Sequence, residues 1–268
     1  MKTNPAENAH LPELVRSYLA RSLPPGGHVP ASVRVLQTGE MWRKPGARPL
    51  RFEAVEDFVV DRVAFSWRAR FPIVGRLALR VIDEIAAGEG QLRVSVLGLP
   101  LQTQRGPEIA VGEAMRYLAE LALVPQAIAA NRELEWREVG ERAVEVACEV
   151  GSTRAAVQWE FDDAGDLVRV TGVRPFLDGK TIVPTPWGGE FGEYASFAGI
   201  RVPTFAEVWW ELPEGRFVYW RGTVTSLELI GTAPRDRRVQ ADADPAAREH
   251  ADPSRLLGSA WPGSGRTS

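Results

Sequence analysis

The sequence predicts a mostly β protein of the α+β class, with a curved antiparallel sheet or half-open barrel and a few covering helices. Three observations support this class. Apolar and polar residues alternate over many short segments, as in strands with one buried face. Glycine, proline and aspartate separate these segments, and helical spacing is confined to short stretches. About ten strands with so few helices make a barrel, a sandwich or a curved open sheet.

The 268 residues are enough for one large β domain. We expect a flexible N-terminus over residues 1–10, a single antiparallel β domain over 11–231 and a disordered tail over 232–268. The tail is rich in Pro, Ala, Asp, Arg, Gly and Ser, and its apolar content is too low to offset the entropy of folding. Helices are expected near 11–22 and 112–131, where apolar residues recur at helical spacing.

A period of two residues predicts the first strands. Along Asp61–Phe71, apolar residues alternate with Arg62, Arg68 and Arg70, so that one face is apolar and the other is cationic. The pattern continues over 77–85, and the Gly88–Gly90 turn leads into a strand over 92–96. After the central helices, further strands are expected near 133–139, 142–150, 153–161, 166–174, 191–198, 201–212 and 216–230.

Two connections between the later strands have strong hairpin sequences. They are Asp162–Asp166 and Pro213–Arg216, which combine glycine with acidic or proline residues. The segment Arg174–Glu190 contains prolines at 175, 184 and 186 and is predicted to be a long loop, a kind of segment that is often functional.

Composition argues against several classes of function. The net charge of −3 provides no positive field for nucleic acid, and the arginine stripe shares its face with no aromatic residue. The three histidines and the single Cys148 form no metal-ligand pattern, so we expect no metal, no cofactor and no disulfide. There is no apolar run of about 18 residues to span a membrane, and no signal-peptide pattern, which favours a cytoplasmic location.

Four segments carry a resemblance to a known family. They are LPELVRSYL at 11–19, MRYLAE at 115–120, RVPT at 201–204, and EVWWELPEG at 207–215, which YWRG at 219–222 completes. Through them the chain resembles a family of bacterial proteins of unknown function with a half-open β barrel like that of lipoprotein carriers. The resemblance implies a curved antiparallel sheet around a central helix, with an apolar cavity between them. It implies no activity, since a fold does not fix a function.

Asp83 is the first candidate site residue, because it is in phase with the apolar face of its strand. A carboxylate there must be paired or have a raised pKa, so it is a general base, a ligand anchor or a cap of turn amides. Tyr117 and Glu120 can bind a polar ligand group if the central helix faces the cavity; otherwise Glu120 forms a surface pair with Arg116. Trp187 is either part of a lid over the cavity or the cap of a bent loop.

The C-terminal hairpin carries the densest aromatic cluster. With Pro213–Arg216 as its loop, we expect Trp210 to face Tyr219 and Trp209 to face Trp220. Both faces of the hairpin then carry aromatic side chains. One face can be core, whereas the other requires a second cover or a ligand.

The sequence leaves three functions open. The leading hypothesis is binding of a small apolar or amphipathic molecule in an aromatic-lined half-barrel cavity, where Arg201 or Arg221 anchors an acidic head group. The alternative is a metal-independent enzyme of a biosynthetic pathway, in which Asp83 or Glu120 performs acid–base catalysis. The third is a structural or interaction module in which another subunit covers the hairpin. The ligand and the oligomeric state stay undetermined at this stage.

Overall fold

The computed structural model describes residues 8–26, 29–75, 77–179 and 181–232. Nearly all of the predicted tail and most of the predicted N-terminal segment lie outside the described residues. Within them, the strands form one antiparallel sheet of 13 strands that does not close on itself, accompanied by a few short helices. The predicted fold class is confirmed.

The helices and strands alternate in blocks along the chain. The helices are α1 Glu13–Ser22, α2 Pro107–Glu120 and α3 Pro125–Ala130, with a 3₁₀ turn at Leu121–Leu123. None of the helices in the described part of the chain has the length and apolarity that crossing a bilayer requires. The strands are β1 Pro30–Met41, β2 Leu50–Val59, β3 Phe65–Val74, β4 Leu77–Ala86, β5 Glu89–Val96, β6 Leu99–Arg105, β7 Glu135–Gly140, β8 Ala143–Val150, β9 Thr153–Phe161, β10 Leu167–Asp178, β11 Thr181–Phe197, β12 Ile200–Leu212 and β13 Gly215–Thr232.

The sheet consists of two meanders joined at its centre. Strands β1 to β6 lie side by side in one half, strands β7 to β13 form the other half, and β1 pairs with β13. The edge strands β6 and β7 are therefore at opposite ends of the sheet, although only the helical segment separates them in sequence. Helix α2 packs against β4, β5 and β6 of one half and against β8, β9 and β10 of the other. The sheet thus wraps around α2.

Helix α2 is the centre of the hydrophobic core, with Ala114 and Leu118 completely buried. Gly90 of β5 permits its close approach, because a Cβ atom at this position would lie 2.5 Å from the Cα of Ala110. Two buried side chains also fix the segment that contains α2. The Trp159 indole donates a hydrogen bond to the carbonyl of Leu118 at 3.1 Å, and the Tyr18 hydroxyl donates to that of Ala122 at 3.1 Å.

The structure corrects several features of the predicted secondary structure. Strands β1, β2 and β6 are absent from the prediction. The predicted long loop Arg174–Glu190 is wrong, because this segment forms the paired halves of β10 and β11, with a turn between Asp178 and Thr181. The central helical segment begins at Pro107 rather than near residue 112.

The predicted register of the β12–β13 hairpin is also wrong. The turn consists of Pro213–Glu214 alone, so that Trp210 pairs with Phe217 rather than with Tyr219. A bulge between Val208 and Trp209 then shifts the register, and Val208 pairs with Trp220. A bulge adds an unpaired residue to one strand and changes the direction in which the side chains beyond it point. Trp210 and Tyr219 nevertheless stay neighbours, with ring centroids 6.0 Å apart.

Candidate functional site

A cavity of about 440 Å³ lies between α2 and the inner face of the sheet. This volume is within the range of about 300–1,000 Å³ that small-molecule sites occupy. Exposed Arg105 and Glu108 border it near the start of α2, and half-exposed Ile182 borders it at the β10–β11 turn. Its aromatic wall comes from both halves of the sheet and consists of Trp67, Phe176, Trp187, Trp210, Tyr219 and Trp220.

Arg116 projects from α2 into the floor of the cavity and binds three carboxylates. Its Nη1 donates to Asp83 Oδ2 at 2.6 Å, its Nη2 to Glu56 Oε1 at 2.9 Å and its Nε to Glu120 Oε1 at 3.0 Å. The guanidinium also lies over the Trp67 ring, 4.9 Å from a ring centroid. The side chain of Glu56 is fully buried and that of Arg116 is 13% exposed. Arg116 and Glu120 are therefore a buried pair, not the surface pair that their spacing alone suggests.

A chain of hydrogen bonds extends from this cluster across the first half of the sheet. Gln37 of β1 donates from Nε2 to Glu56 Oε2 at 3.0 Å, and the Trp67 indole of β3 donates to Gln37 Oε1 at 3.0 Å. Gln37 lies at a register shift between β1 and β13. The buried amide and carboxylate are thus connected across three adjacent strands, which holds the floor of the cavity in place.

Arg174 of β10 forms a second polar group on the opposite wall. Its Nε donates to the carbonyl of Gly112 at 3.0 Å, its Nη2 to Glu113 Oε1 at 3.3 Å and its Nη1 to the Tyr219 hydroxyl at 3.5 Å. The Trp187 indole donates to the same hydroxyl at 3.1 Å.

Burial determines which of these groups carry protons. It raises the pKa of Glu56 well above its usual range, and the Glu120 carboxylate raises that pKa further. Burial also raises the pKa of Glu113 well above its usual range, and nearby Asp83 adds to this effect. Burial lowers the pKa of Arg116, but the surrounding carboxylates outweigh it and raise that pKa well above its usual range. Arg116 stays charged, whereas Glu56 and Glu113 hold protons to a higher pH than free carboxyls.

The structure brings five of the sequence-predicted site residues together around the cavity. Asp83 and Glu120 belong to its polar floor, and the other three belong to its aromatic wall. Trp187 lies in β11 opposite Trp210 and is mostly buried, so it is part of the wall and not of a lid. The five residues are Asp83, Glu120, Trp187, Trp210 and Tyr219.

Two other predicted site residues lie outside the cavity lining. Tyr117 is fully buried in α2, and its hydroxyl accepts a hydrogen bond from Asn131 Nδ2 at 3.1 Å. Arg201 donates to both oxygens of Asp166 at 2.7 and 2.6 Å, and its guanidinium lies over the Tyr194 ring at 4.3 Å. Both residues have structural partners that account for their positions.

Arg221 also lies away from the cavity, because the shifted register pairs it with Glu207, to which its Nε donates at 2.5 Å. The outer aromatic face of the hairpin is covered by the chain itself. Trp209 is only 2% exposed. Its indole lies over Gly188, and the Arg216 guanidinium is 4.1 Å from its ring centroid. No second subunit is required to bury Trp209.

Sequence reasoning missed Glu56, Glu113 and Arg174 as residues of the cavity. A signal existed for Glu56, which is in phase with the buried Phe52, Ala54 and Phe58 of β2, as Asp83 is in β4. Glu113 precedes Arg116 by one helical turn, which places both on one face of α2. Arg174 had no usable signal, because its segment was predicted to be a loop.

An open antiparallel sheet wrapped around a helix, with a cavity of aromatic wall and charged floor, defines a half-barrel protein with an internal cavity. The chain belongs to a family of unknown function, DUF6544, whose model matches residues 2–222. The family resemblance predicted from the sequence is thereby confirmed.

Several solved structures are similar to this chain at low identity. A LolA superfamily protein from Nitrosomonas europaea has 10% identity and a TM-score of 0.43, over 84% of this chain and 93% of that one. A domain described as an outer membrane lipoprotein-sorting protein, from Vibrio parahaemolyticus, has 11% identity and a TM-score of 0.40, over 81% and 90%. A DUF1329 family protein from Desulfovibrio piger has 12% identity and a TM-score of 0.42, over 85% and 94%. No protein with a curated description matches the chain.

Proposed function

We propose that this protein binds a small apolar or amphipathic molecule in the cavity between α2 and the sheet. The observation that carries this proposal is the cavity itself, about 440 Å³ with six aromatic side chains on its wall and a polar floor at one side. Binding sites for small molecules combine mostly apolar walls with a few convergent polar groups in this way. Burial of an apolar ligand surface against such a wall stabilises the complex by about 25 cal/mol per Å².

The proposal is tested by titrating the protein with straight-chain alcohols of increasing length while following tryptophan fluorescence. Four tryptophans border the cavity, so occupancy should change the emission; these are Trp67, Trp187, Trp210 and Trp220. We expect saturable binding that becomes tighter with each added methylene until the cavity is full, because each buried CH₂ contributes about 0.8 kcal/mol.

A cavity-filling variant gives the matched comparison. Val208 lines the cavity, so Val208→Trp should occupy the space and abolish alcohol binding. Val173 is 60% exposed on the neighbouring part of the sheet, and Val173→Trp adds the same volume outside the cavity. Absence of saturable binding in the wild type, or unchanged binding in Val208→Trp, would refute the proposal.

The raised pKa of Glu113 supports a second candidate function, that of a metal-independent enzyme. A carboxyl group that keeps its proton inside a cavity, beside the Asp83 carboxylate, is suited to general acid catalysis. A test is to incubate the protein with a bacterial metabolite extract and to search by mass spectrometry for a compound that is consumed. Consumption should cease in Glu113→Gln; a rate equal to that of the wild type would eliminate this assignment.

The cytoplasmic location also stays a prediction, which cell fractionation would test.

A further inference from the structure

Every guanidinium nitrogen of Arg116 and Arg174 already donates to an acceptor of the protein. Each of the three nitrogens of Arg116 donates to a different carboxylate. The three nitrogens of Arg174 donate to Gly112, Glu113 and Tyr219. An anionic head group that entered the cavity would therefore reach a guanidinium only through the second N–H of a terminal nitrogen that already has an acceptor, next to carboxylates that repel it. The sequence predicted that Arg201 or Arg221 binds an acidic head group. Both arginines lie outside the cavity lining and are paired with carboxylates, so neither can do so there.

Hydrogen-bond acceptors, in contrast, are in excess. Asp83 Oδ1, Glu113 Oε2 and Glu120 Oε2 are buried and accept no hydrogen bond from any residue in the described part of the chain. All three residues line the cavity, and Asp83 and Glu113 are only 9% and 6% exposed. Buried acceptors without a donor cost free energy, so they favour a ligand that brings donors to them.

The charges show the same imbalance. Four carboxyl groups, Glu56, Asp83, Glu113 and Glu120, surround two guanidinium groups, Arg116 and Arg174. This cluster can reduce its excess of negative charge by taking up protons, which is consistent with the raised pKa of Glu56 and of Glu113. Glu113 lies beside Asp83 and Glu56 lies beside Glu120, so a proton on one carboxyl group of each pair reduces the repulsion within it. A cation would neutralise the same charge.

We propose that the bound molecule carries a cationic head group with N–H donors, such as a primary alkylammonium or arylalkylammonium, seated against Asp83, Glu113 and Glu120. This inference rests on the proposed binding function. The aromatic wall supports it, because indole rings attract cations. Here the Arg174 guanidinium already lies 5.2 Å from the Trp187 ring centroid and 5.9 Å from that of Trp210. An organic cation suits the floor better than a metal ion, because the described residues contain no group of three ligands placed to hold one.

A series of ligands with one chain and three head groups tests the inference. Octylammonium, octanol and octanoate bury the same apolar tail and differ only in charge and donors. We expect octylammonium to bind about tenfold more tightly than octanol, because hydrogen bonds between a charged donor and a carboxylate are stronger than those of a neutral hydroxyl, and octanoate to bind most weakly. Octanol binding without preference for the amine would refute the cationic head group and leave the binding function intact. Failure of all three to bind would refute the binding function.

A matched pair of variants locates the preference. Glu113→Gln keeps the shape and removes one carboxylate, so it should lower affinity for octylammonium severalfold more than it lowers affinity for octanol. Glu89→Gln makes the same change in the exposed start of β5 and should alter neither affinity. Saturable binding of octanol, together with a cooperative thermal unfolding transition, serves as the check that Glu113→Gln is folded. An unchanged octylammonium affinity in Glu113→Gln would overturn the assignment.

Proton release gives a readout that does not depend on any variant. Octylammonium should displace protons from Glu56 and Glu113, so its affinity should rise with pH through the raised titration range of these two carboxyl groups. Calorimetric titrations in phosphate and in Tris should differ by the heat that the released protons deliver to the buffer, and octanol titrations should not. Equal heats in both buffers would contradict the proposed exchange. The charged and titratable groups that face the two carboxyls are Asp83, Arg116, Glu120, Arg174 and Tyr219.

Discussion

Arg116 is the residue on which the interior depends most, because it is the cation shared by three carboxylates in a buried site. Removing one partner of a buried ion pair leaves the other charges without compensation, which typically costs about 3–5 kcal/mol. Glu56 is fully buried and cannot turn to solvent, so its carboxyl would be left with Gln37 as its remaining donor.

We therefore predict that Arg116→Met lowers the free energy of unfolding by about 3–5 kcal/mol, as measured by urea denaturation. The loss should be smaller at pH 5 than at pH 8, because the carboxyls can then take up protons in place of the guanidinium. Arg51→Met is the comparison: Arg51 pairs with Glu40 on the surface and is 87% exposed, so its replacement should change stability little. Equal effects of the two substitutions would show that the buried cluster adds nothing to stability.

Individual residues were predictable where a strand pattern was recognised around them. Asp83 could be found because its phase within β4 is visible in the sequence. Glu56 has the same phase in β2 but was missed along with its strand. The i,i+4 spacing of Arg116 and Glu120 predicted their contact but not its burial, since spacing along one helix does not say what covers that face.

At the scale of elements, the position of α2 depends on its contact with Gly90 of β5. A methyl group at Gly90 would lie 2.5 Å from the Ala110 Cα and 2.7 Å from the Ala110 nitrogen. Both atoms belong to the helix backbone, so they cannot move aside as a flexible side chain does. The helix as a whole would have to shift away from β5, and Glu113 and Arg116 would shift with it.

Gly90→Ala should accordingly destabilise the protein by roughly 1–3 kcal/mol and weaken octanol binding, as followed by thermal unfolding and by fluorescence titration. Gly192 in β11 offers the control, since a Cβ there would meet no atom within 4 Å and its backbone has no left-handed φ. Gly192→Ala should leave both properties nearly unchanged. Wild-type binding in Gly90→Ala would mean that the cavity does not depend on this contact.

Two features of the strands could not be predicted from the sequence. Prolines usually exclude a segment from a sheet, because proline has no N–H to donate. Pro175 and Pro184 are tolerated because they face each other where the β10–β11 hairpin extends past the residues that pair with β9 and β12. The bulge at Val208 is the second feature; it depends on how β12 and β13 curve together, which neither strand encodes alone.

At the scale of the whole molecule, the two halves of the sheet depend on a shared interior. They are paired through β1 and β13, and α2 packs on strands of both halves. Trp67 in the first half and Trp159 in the second are both completely or almost completely buried against this interior. Alternating patterns predicted a large antiparallel sheet, but the strand order follows from pairings between segments distant in sequence, which no local pattern reveals.

The shared interior predicts that the two halves unfold together. Backbone amides in the middle of β3 and of β9 should exchange with deuterium at the same free energy of opening under native conditions, as measured by hydrogen exchange. Gly90→Ala should lower both values equally, although it touches only β5 and α2. Two separate opening energies, or an effect of the substitution on β3 alone, would mean that the halves are independent units.

Because β1 pairs with β13 at the centre of the sheet, the sheet can be completed only after β13 has been synthesised. Of the strands that the structure describes, β1 leaves the ribosome first and β13 last, yet they are neighbours in the middle of the sheet. Until β13 emerges, both β1 and β12 present an unpaired edge, and such edges invite pairing with other chains. Translation that stops before Gly215 therefore leaves two unprotected edges where the centre of the sheet should be.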